Sequence, residues 1–364
     1  MTTVLLPAFI TACLAATLGT WLILRSRLAM QALDRVDKPN AMHAVAVPRI
    51  GGLSLMVAAA LSYLILANVI AMPPLLATIF LVALTLSALS LIDDLRGLTP
   101  IVRLFAHLAA ALIVVAFSSQ AVLPSNQVVP GTSLISVTLA VIAVAWMTNL
   151  YNFMDGANGL AGLMGMIGFA AMAWVAADHA QLELARLSMV IAGACSGFLF
   201  FNFPRPRVFL GDVGSIPLGF LAATLGIFGY QQNVWTWAFP VLVFSPFIVD
   251  ATVTLAKRIA RRERIWEAHR QHYYHRLILD LGWSHTHTAA VYVALMVATS
   301  GYSLALLRAP SDSGIPLLGS ASITQKLVPW VVTYALILVS LEWRLQREHQ
   351  RRKNVPEEKK QGAK

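Results

Sequence analysis

The chain is poor in charge. Only 12% of its 364 residues are Asp, Glu, Lys or Arg, while 58% are hydrophobic, and a soluble domain carries about 25% charged residues. That shortage excludes an ordinary water-soluble globule and makes lipid the solvent. Cysteine is scarcer still. Cys13 and Cys195 lie in apolar runs with no His or Cys at ligand spacing, which excludes a cysteine-built metal site and leaves both as packing residues. No RNA- or DNA-binding motif accompanies the net charge of +10; a basic cytoplasmic face lying against anionic lipid accounts for it, so no nucleic acid partner is expected. The first apolar stretch lacks a basic leader and a small-residue cleavage site, so it reads as a membrane helix and not as a removable signal. There is no internal repeat, and no soluble domain stands between the apolar runs.

The runs themselves are abundant. A helix needs about 20 apolar residues to cross about 30 Å of hydrocarbon, and the sequence offers about eleven such stretches. They lie near 4–24, 50–71, 75–92, 102–118, 132–149, 159–177, 187–203, 213–230, 235–256, 288–308 and 328–345. Basic residues resist translocation. All of the 27 Lys and Arg except Arg186, Arg308 and Lys326 fall on one set of alternate loops, which places the amino terminus outside and the carboxyl terminus in the cytoplasm. The expected fold is therefore an all-α, polytopic integral membrane protein: one transmembrane domain over 1–346 and a charged, disordered tail over 347–364. The longest cytoplasmic connection, 257–287, has room for a short amphipathic helix.

The acids are few, and their placement is uneven. Asp93, Asp94, Asp155, Asp212 and Asp250 all fall at cytoplasmic helix ends beside apolar stretches, where a carboxylate is costly and is a functional candidate by default. The first motif is Leu91-Ile92-Asp93-Asp94-Leu95-Arg96-Gly97-Leu98. Adjacent carboxylates repel unless a divalent cation or a phosphate's metal shares the site. A polar helix end with an Asp–Arg pair explains this motif equally well. The second, from Asn149 to Leu160, sets Asn149, Asn152, Asp155 and Asn158 at every third residue. An Asn/Gly turn between helices accounts for its glycines but not for Asn149 and Asn152. In the third, Phe209-Leu210-Gly211-Asp212-Val213-Gly214-Ser215, a helix N-terminus attracts phosphate and an Asp can hold magnesium against it; no Gly-Lys-Ser/Thr follows, so it is not a P-loop. A plain N-cap aspartate is the competing explanation.

The fourth motif, Glu267 to Arg276, holds His269, Arg270, His272 and His275. Its arginines could grip a pyrophosphate, and a membrane-surface helix with interfacial tyrosines predicts much the same composition. Zinc is disfavoured there because no Cys or acidic partner completes a ligand set. Asp250 fits either a cavity lining or a structural ion pair with a basic neighbour, and His107 reads as a satisfied interior histidine.

Taken in this order, the motifs from about Asp37 to His287 resemble the polyprenyl-phosphate N-acetylhexosamine-1-phosphate transferases, relatives of the phospho-N-acetylmuramoyl-pentapeptide transferases. The resemblance implies transfer of an N-acetylhexosamine 1-phosphate from a UDP-sugar to a polyprenyl (undecaprenyl) phosphate, with release of UMP, at the bacterial inner membrane. Such a step initiates an envelope glycan such as an O-antigen or exopolysaccharide. By similarity, Asp212 and Asn152 would ligate Mg2+, for which Mn2+ could substitute. Asp93 would orient or deprotonate the lipid phosphate, supported by Asp94. Phe209 would stack on uracil, Asn158 would hydrogen-bond it, and Asn149 and Asp155 would line the nucleotide pocket. His269, Arg270 and His272 would hold the diphosphate or the sugar. The first loop, Asp37–His43 and then Pro48–Gly52, is slightly shorter than the family pattern and lacks its basic or polar pair; His43 and Arg49 are its phosphate-contact candidates. Asn158 stands where many members have Asp. The basic loop lacks the consecutive histidines of the muramoyl-pentapeptide enzymes, so a simple N-acetylhexosamine donor, by default N-acetylglucosamine, is expected. A homodimer is compatible with the family. The competing function is a secondary transporter with a cytoplasm-facing ion or substrate site, which would gather its polar groups near the bilayer midplane between repeated halves.

Overall fold

A computed structural model describes residues 2–34, 46–66, 72–121, 134–264, 269–308 and 323–353. The chain is built from helices α1 (Thr2–Leu24), α2 (Arg27–Gln31), α3 (Gly51–Leu66), α4 (Pro74–Arg96), α5 (Pro100–Ala121), α6 (Leu134–Phe153), α7 (Leu160–Asp178), α8 (Leu182–Asn202), α9 (Asp212–Gln231), α10 (Ala238–Val243), α11 (Ser245–Ala260), α12 (Tyr273–Leu279), α13 (His285–Arg308) and α14 (Ile323–Lys353). Two short strands, β1 (Leu33–Asp34) and β2 (Val47–Pro48), pair antiparallel in the first connection. An all-α polytopic membrane protein is what the structure shows, because nine helices among the described residues are long and apolar enough to cross a bilayer. Backbone groups in lipid must find their partners within the helix.

Helix α9 is the axis of the bundle. Its span is 83% buried, and α3, α4, α6 and α7 pack around it. On one flank α1 lies along α8, with Ala8, Ala12 and Ala16 fully buried between them. A side chain at Gly197 would come within 2.2 Å of the Cys13 carbonyl oxygen, so the small residues set how closely these helices approach.

Two of the expected crossings differ from a simple apolar run. The stretch 235–256 is broken at Phe244 into α10 and α11. Pro246, in the first turn of α11, has no N–H to continue the helix, and the Ser245 hydroxyl donates instead to the Leu242 carbonyl at 2.7 Å. The run expected from 187 starts at Leu182. It accommodates Glu183 and Arg186 because they pair with each other, while Tyr63 on α3 donates to Glu183 at 2.9 Å. The shorter α3 spans 16 residues, and the remainder of its expected run, 67–71, lies outside the described residues. At the other end α14 continues to Lys353, past the expected start of the tail.

Among its described residues the long connection after α11 holds the seven-residue helix α12. It is not a surface helix with tyrosines at the headgroups. Tyr273 and Tyr274 are buried, with His275 and Leu277, so α12 is tucked into the protein, and the reason lies in the site it completes.

Candidate active site

The site begins with a backbone seam. Gly51 and Gly52 at the start of α3 donate to the carbonyls of Phe209 and Leu210 at 2.9 and 2.8 Å, and the Phe209 N–H donates to Pro48 at 2.7 Å. Such approach needs glycine on both sides: a Cβ at Gly52 would sit 2.2 Å from the Gly214 nitrogen, and one at Gly211, where φ is +71°, 2.2 Å from the Arg49 carbonyl. The seam delivers Arg49 and Asp212 to the same place. Arg49 Nη2 lies 3.6 Å from Asp212 Oδ1.

Around Asp212 three further segments converge. Its Oδ1 accepts from Asn152 Nδ2 at 2.9 Å, and that same amide nitrogen is 2.9 Å from Ser215 Oγ. The donating end of Asn152 is thus engaged, so a cation would be met by its carbonyl end. The other carboxylate oxygen, Oδ2, faces Arg103 Nη1 at 3.4 Å. This one guanidinium nitrogen is also 3.3 Å from Asp93 Oδ2, so Arg103 bridges Asp93 and Asp212. Asp93 is buried at the end of α4, its Oδ1 accepting from the Leu98 N–H at 2.5 Å. Its neighbour Asp94 is exposed, since successive residues on a helix point about 100° apart.

The remaining polar residues of the second motif separate by depth. Asn149 bonds His107 Nδ1 through its Oδ1 at 3.2 Å and the Ala145 carbonyl through its Nδ2 at 2.7 Å, so His107 is a partnered interior histidine. Asp155 Oδ2 accepts from the Gly211 N–H at 3.2 Å. Burial pushes the Asp155 carboxyl well above the usual carboxylate range, with the Asp212 carboxylate adding to the rise and Arg49 opposing it. Asn158 lies at the edge, donating from Nδ2 to the Pro204 carbonyl at 3.3 Å and from its backbone N–H to His285 Nδ1 at 3.4 Å. Phe209 is half-buried above the seam.

The basic loop packs against this motif. His272, the residue before α12, is buried, with its ring stacked on Phe153 at 6.1 Å and 4.8 Å from that of His269. The Tyr274 hydroxyl donates to the Phe153 carbonyl at 2.9 Å. Burial, with His272 and Arg258 nearby, holds His269 down to about 4, so it is neutral at physiological pH. Arg270 is half-buried in the same turn. Asp250 does not line an open cavity, and its charged neighbour is neither Lys257 nor Arg258. It accepts the Tyr273 and Tyr274 N–H groups at 2.8 and 3.2 Å and the Tyr292 hydroxyl, and it stands 3.5 Å from His272 Nδ1. It caps α12 and holds the histidine. His43 lies outside the described residues.

Reading from sequence missed Arg103, which enters there only as a basic residue on the cytoplasmic side. A signal was present: a cation in the first turn of a helix opposes the helix dipole and needs an acidic partner. Nothing local marked Tyr274 or Tyr292. Among the described residues no group of three His, Cys, Asp or Glu side chains is placed to hold a metal ion in the manner of a zinc site.

Comparison with known proteins agrees with the resemblance read from the motifs. Residues 76–230, which carry Asp93, Arg103, Asn152 and Asp212, match the model of glycosyl transferase family 4. The chain is similar to this family over those residues. Among the relatives that the chain matches is a probable undecaprenyl-phosphate N-acetylglucosaminyl 1-phosphate transferase of Bacillus subtilis, 26% identical over 76% of this chain and 78% of the relative. A decaprenyl-phosphate N-acetylglucosaminephosphotransferase of Mycobacterium leprae is 26% identical over 83% of each chain. A phospho-N-acetylmuramoyl-pentapeptide-transferase of Chloroflexus aurantiacus is 27% identical over 49% of this chain and 50% of the relative.

Proposed function

We propose that this protein transfers an N-acetylhexosamine 1-phosphate from a UDP-sugar to a polyprenyl phosphate, releasing UMP. The observation that carries this reading is the bridge from Asp93 through Arg103 to Asp212, with Asn152 and Arg49 on the same carboxylate. Segments around Arg49, Asp93, Arg103, Asn152 and Asp212 converge on one end of the bundle, and they supply what phosphoryl transfer requires: acids, cations and positioned backbone. These groups sit at helix ends, Asp93 near the end of α4 and Asp212 first in α9, and not mid-helix as a transporter reading would need. The printed activities of the Bacillus and Mycobacterium relatives support a simple N-acetylhexosamine donor, N-acetylglucosamine first.

In this reading an oxygen of the lipid phosphate attacks the sugar-linked phosphorus, the bond to the UMP oxygen breaks, and a polyprenyl diphospho-sugar forms. Asp93 orients the lipid phosphate and accepts any proton it carries. Arg103 and Arg49 neutralise phosphate charge, and Phe209, Asn158 and Asp155 receive the nucleoside. Asn158 has its amide nitrogen engaged, so its carbonyl end faces the uracil imide. The protonated tendency of Asp155 suits a carboxyl beside phosphates, since it removes a repelling charge. His269, Arg270 and His272 hold the diphosphate or sugar.

The donor set fits magnesium. Two carboxylates already converge on one cationic nitrogen, and the Asn152 side-chain amide stands beside Asp212; carboxylate and amide oxygens are hard ligands of the kind Mg2+ takes together with water and substrate phosphates. Asp212 and Asn152 would hold the ion, which when bound would offset charge on the transferring phosphoryl group. We place the site on the cytoplasmic side of a bacterial inner membrane, where the basic loops lie and where an envelope glycan begins. Purified protein incubated with undecaprenyl phosphate, magnesium and a panel of UDP-sugars is expected to release UMP. No UMP from any donor would overturn the reading.

A further inference from the structure

The basic loop is held by more than the helices that carry the acids. At seven residues, α12 is far too short to be helical alone, since isolated helices below about 12 residues are marginal in water. It depends on anchors. Asp250 takes the backbone at its start, and Tyr274 ties it to Phe153. A third anchor comes from α14, the last helix of the bundle. Glu342 Oε1 accepts from the Tyr273 hydroxyl at 2.8 Å, from Arg276 Nη1 at 2.9 Å and from Lys257 Nζ at the end of α11. Lys257 Nζ also donates to the Tyr273 hydroxyl at 2.5 Å.

Helix α14 is otherwise a loosely held element. Its span is only 6% buried, and Val331, Leu336 and Val339 are exposed on it. Other polar ties lie high on the helix, where Trp330 and Tyr334 meet Ser245 at 3.2 and 3.1 Å and the Tyr302 hydroxyl donates to the Lys326 carbonyl. A carboxylate on a lipid-facing helix is costly, and apolar packing would seat the helix without one. What Glu342 adds is directional: it fixes two successive-turn positions of α12, 273 and 276, immediately after His272.

We propose that Glu342 is a positioning residue for the basic loop, reaching from the last helix to lock α12 so that His272 stays against Phe153. This rests on the transferase reading, in which that loop holds the donor. Its removal should therefore weaken handling of the UDP-sugar and leave the lipid acceptor untouched.

The test compares wild type with Glu342→Ala and Glu342→Gln. Kinetics use UDP-N-acetylglucosamine, undecaprenyl phosphate and magnesium; hydrogen exchange is followed at residues 273–279 and in α9 without substrate. Hydrogen bonds to charged groups contribute about 1.5 to 3 kcal/mol, which corresponds to about tenfold or more. Glu342→Ala should raise KM for the UDP-sugar about tenfold with KM for the lipid phosphate unchanged, and should speed exchange in α12 but not in α9. Gln keeps an acceptor oxygen for Tyr273 and Arg276, so Glu342→Gln should recover most of both losses. Unchanged exchange at 273–279 in both variants would overturn the proposal. So would equal changes in both KM values with faster exchange throughout, which would make Glu342 a general brace. If Glu342→Ala does not fold, Tyr273→Phe, which removes one donor to Glu342, decides: faster exchange at 273–279 with a raised KM for the UDP-sugar supports the clamp, and wild-type exchange and KM would sink the idea. Absence of UMP from wild type would count against the transferase reading, and the exchange arm would still judge the clamp.

Discussion

Removing Arg103 should convert a site neutralised by protein into one that asks for metal. The guanidinium lies 3.3 and 3.4 Å from the two carboxylates, and at an effective dielectric of about 20 each contact carries about 5 kcal/mol of attraction. Arg103 is 39% exposed, so hydration and screening reduce the net contribution to about 1 to 2 kcal/mol for the pair. In Arg103→Gln that stabilisation is lost, and Asp93 and Asp212 face each other with Arg49 left on Asp212. The variant should unfold at lower temperature than wild type in a chelator. Magnesium should then restore it, because a cation at about 100 times its dissociation constant adds about 2.7 kcal/mol to the folded state. Wild type, with Arg103 already between the acids, should gain less. The assay is thermal denaturation of purified protein across a magnesium series. Equal magnesium shifts in the two proteins would refute the reasoning, as would a shift in Arg103→Gln that survives addition of Asp212→Asn.

Three further outcomes are expected. Asp212→Ala should abolish UMP release and Asp93→Asn should cut it severely while both proteins stay monodisperse; wild-type rates would remove these residues from the chemistry. Gly52→Ala should destabilise by about 1 to 3 kcal/mol, the range for overpacking, because its Cβ would lie 2.2 Å from the Gly214 nitrogen; an unaltered thermal midpoint would show that the seam yields. His269 stays unprotonated to about 4 when folded, against an ordinary 6.5. Between pH 6.5 and 4 the unfolded chain therefore takes up a proton that the folded protein does not, and stability falls as pH falls. His269→Gln should flatten the slope of thermal midpoint against pH in that window, and an unchanged slope would count against the burial argument.

Much of this protein is written locally. Hydropathy alone predicts where α1, α4, α7 and α9 run, because a membrane helix satisfies its own backbone and must only be apolar for long enough. Charge placement singled out Asp93, Asp155, Asp212 and Asp250, since a carboxylate beside an apolar run is costly wherever the chain goes. The start of α8 was misread because Glu183 and Arg186 look prohibitive one at a time, and only their pairing makes them tolerable. The break at Phe244 was hidden within an apolar stretch whose prolines were outweighed by its hydropathy.

By itself, then, the sequence determined the solvent, the helical class, the family resemblance and which acids merit attention, all properties carried by residue type and short-range spacing. Tertiary structure decided which of them meet. It separated buried Asp93 from exposed Asp94, placed Arg103 between two carboxylates from different helices, and made Asp250 a cap for α12 in place of a cavity wall. It also set Glu342 under the basic loop. These are contacts across space between residues far apart in the chain, and their energies depend on distance and burial, which no local pattern encodes.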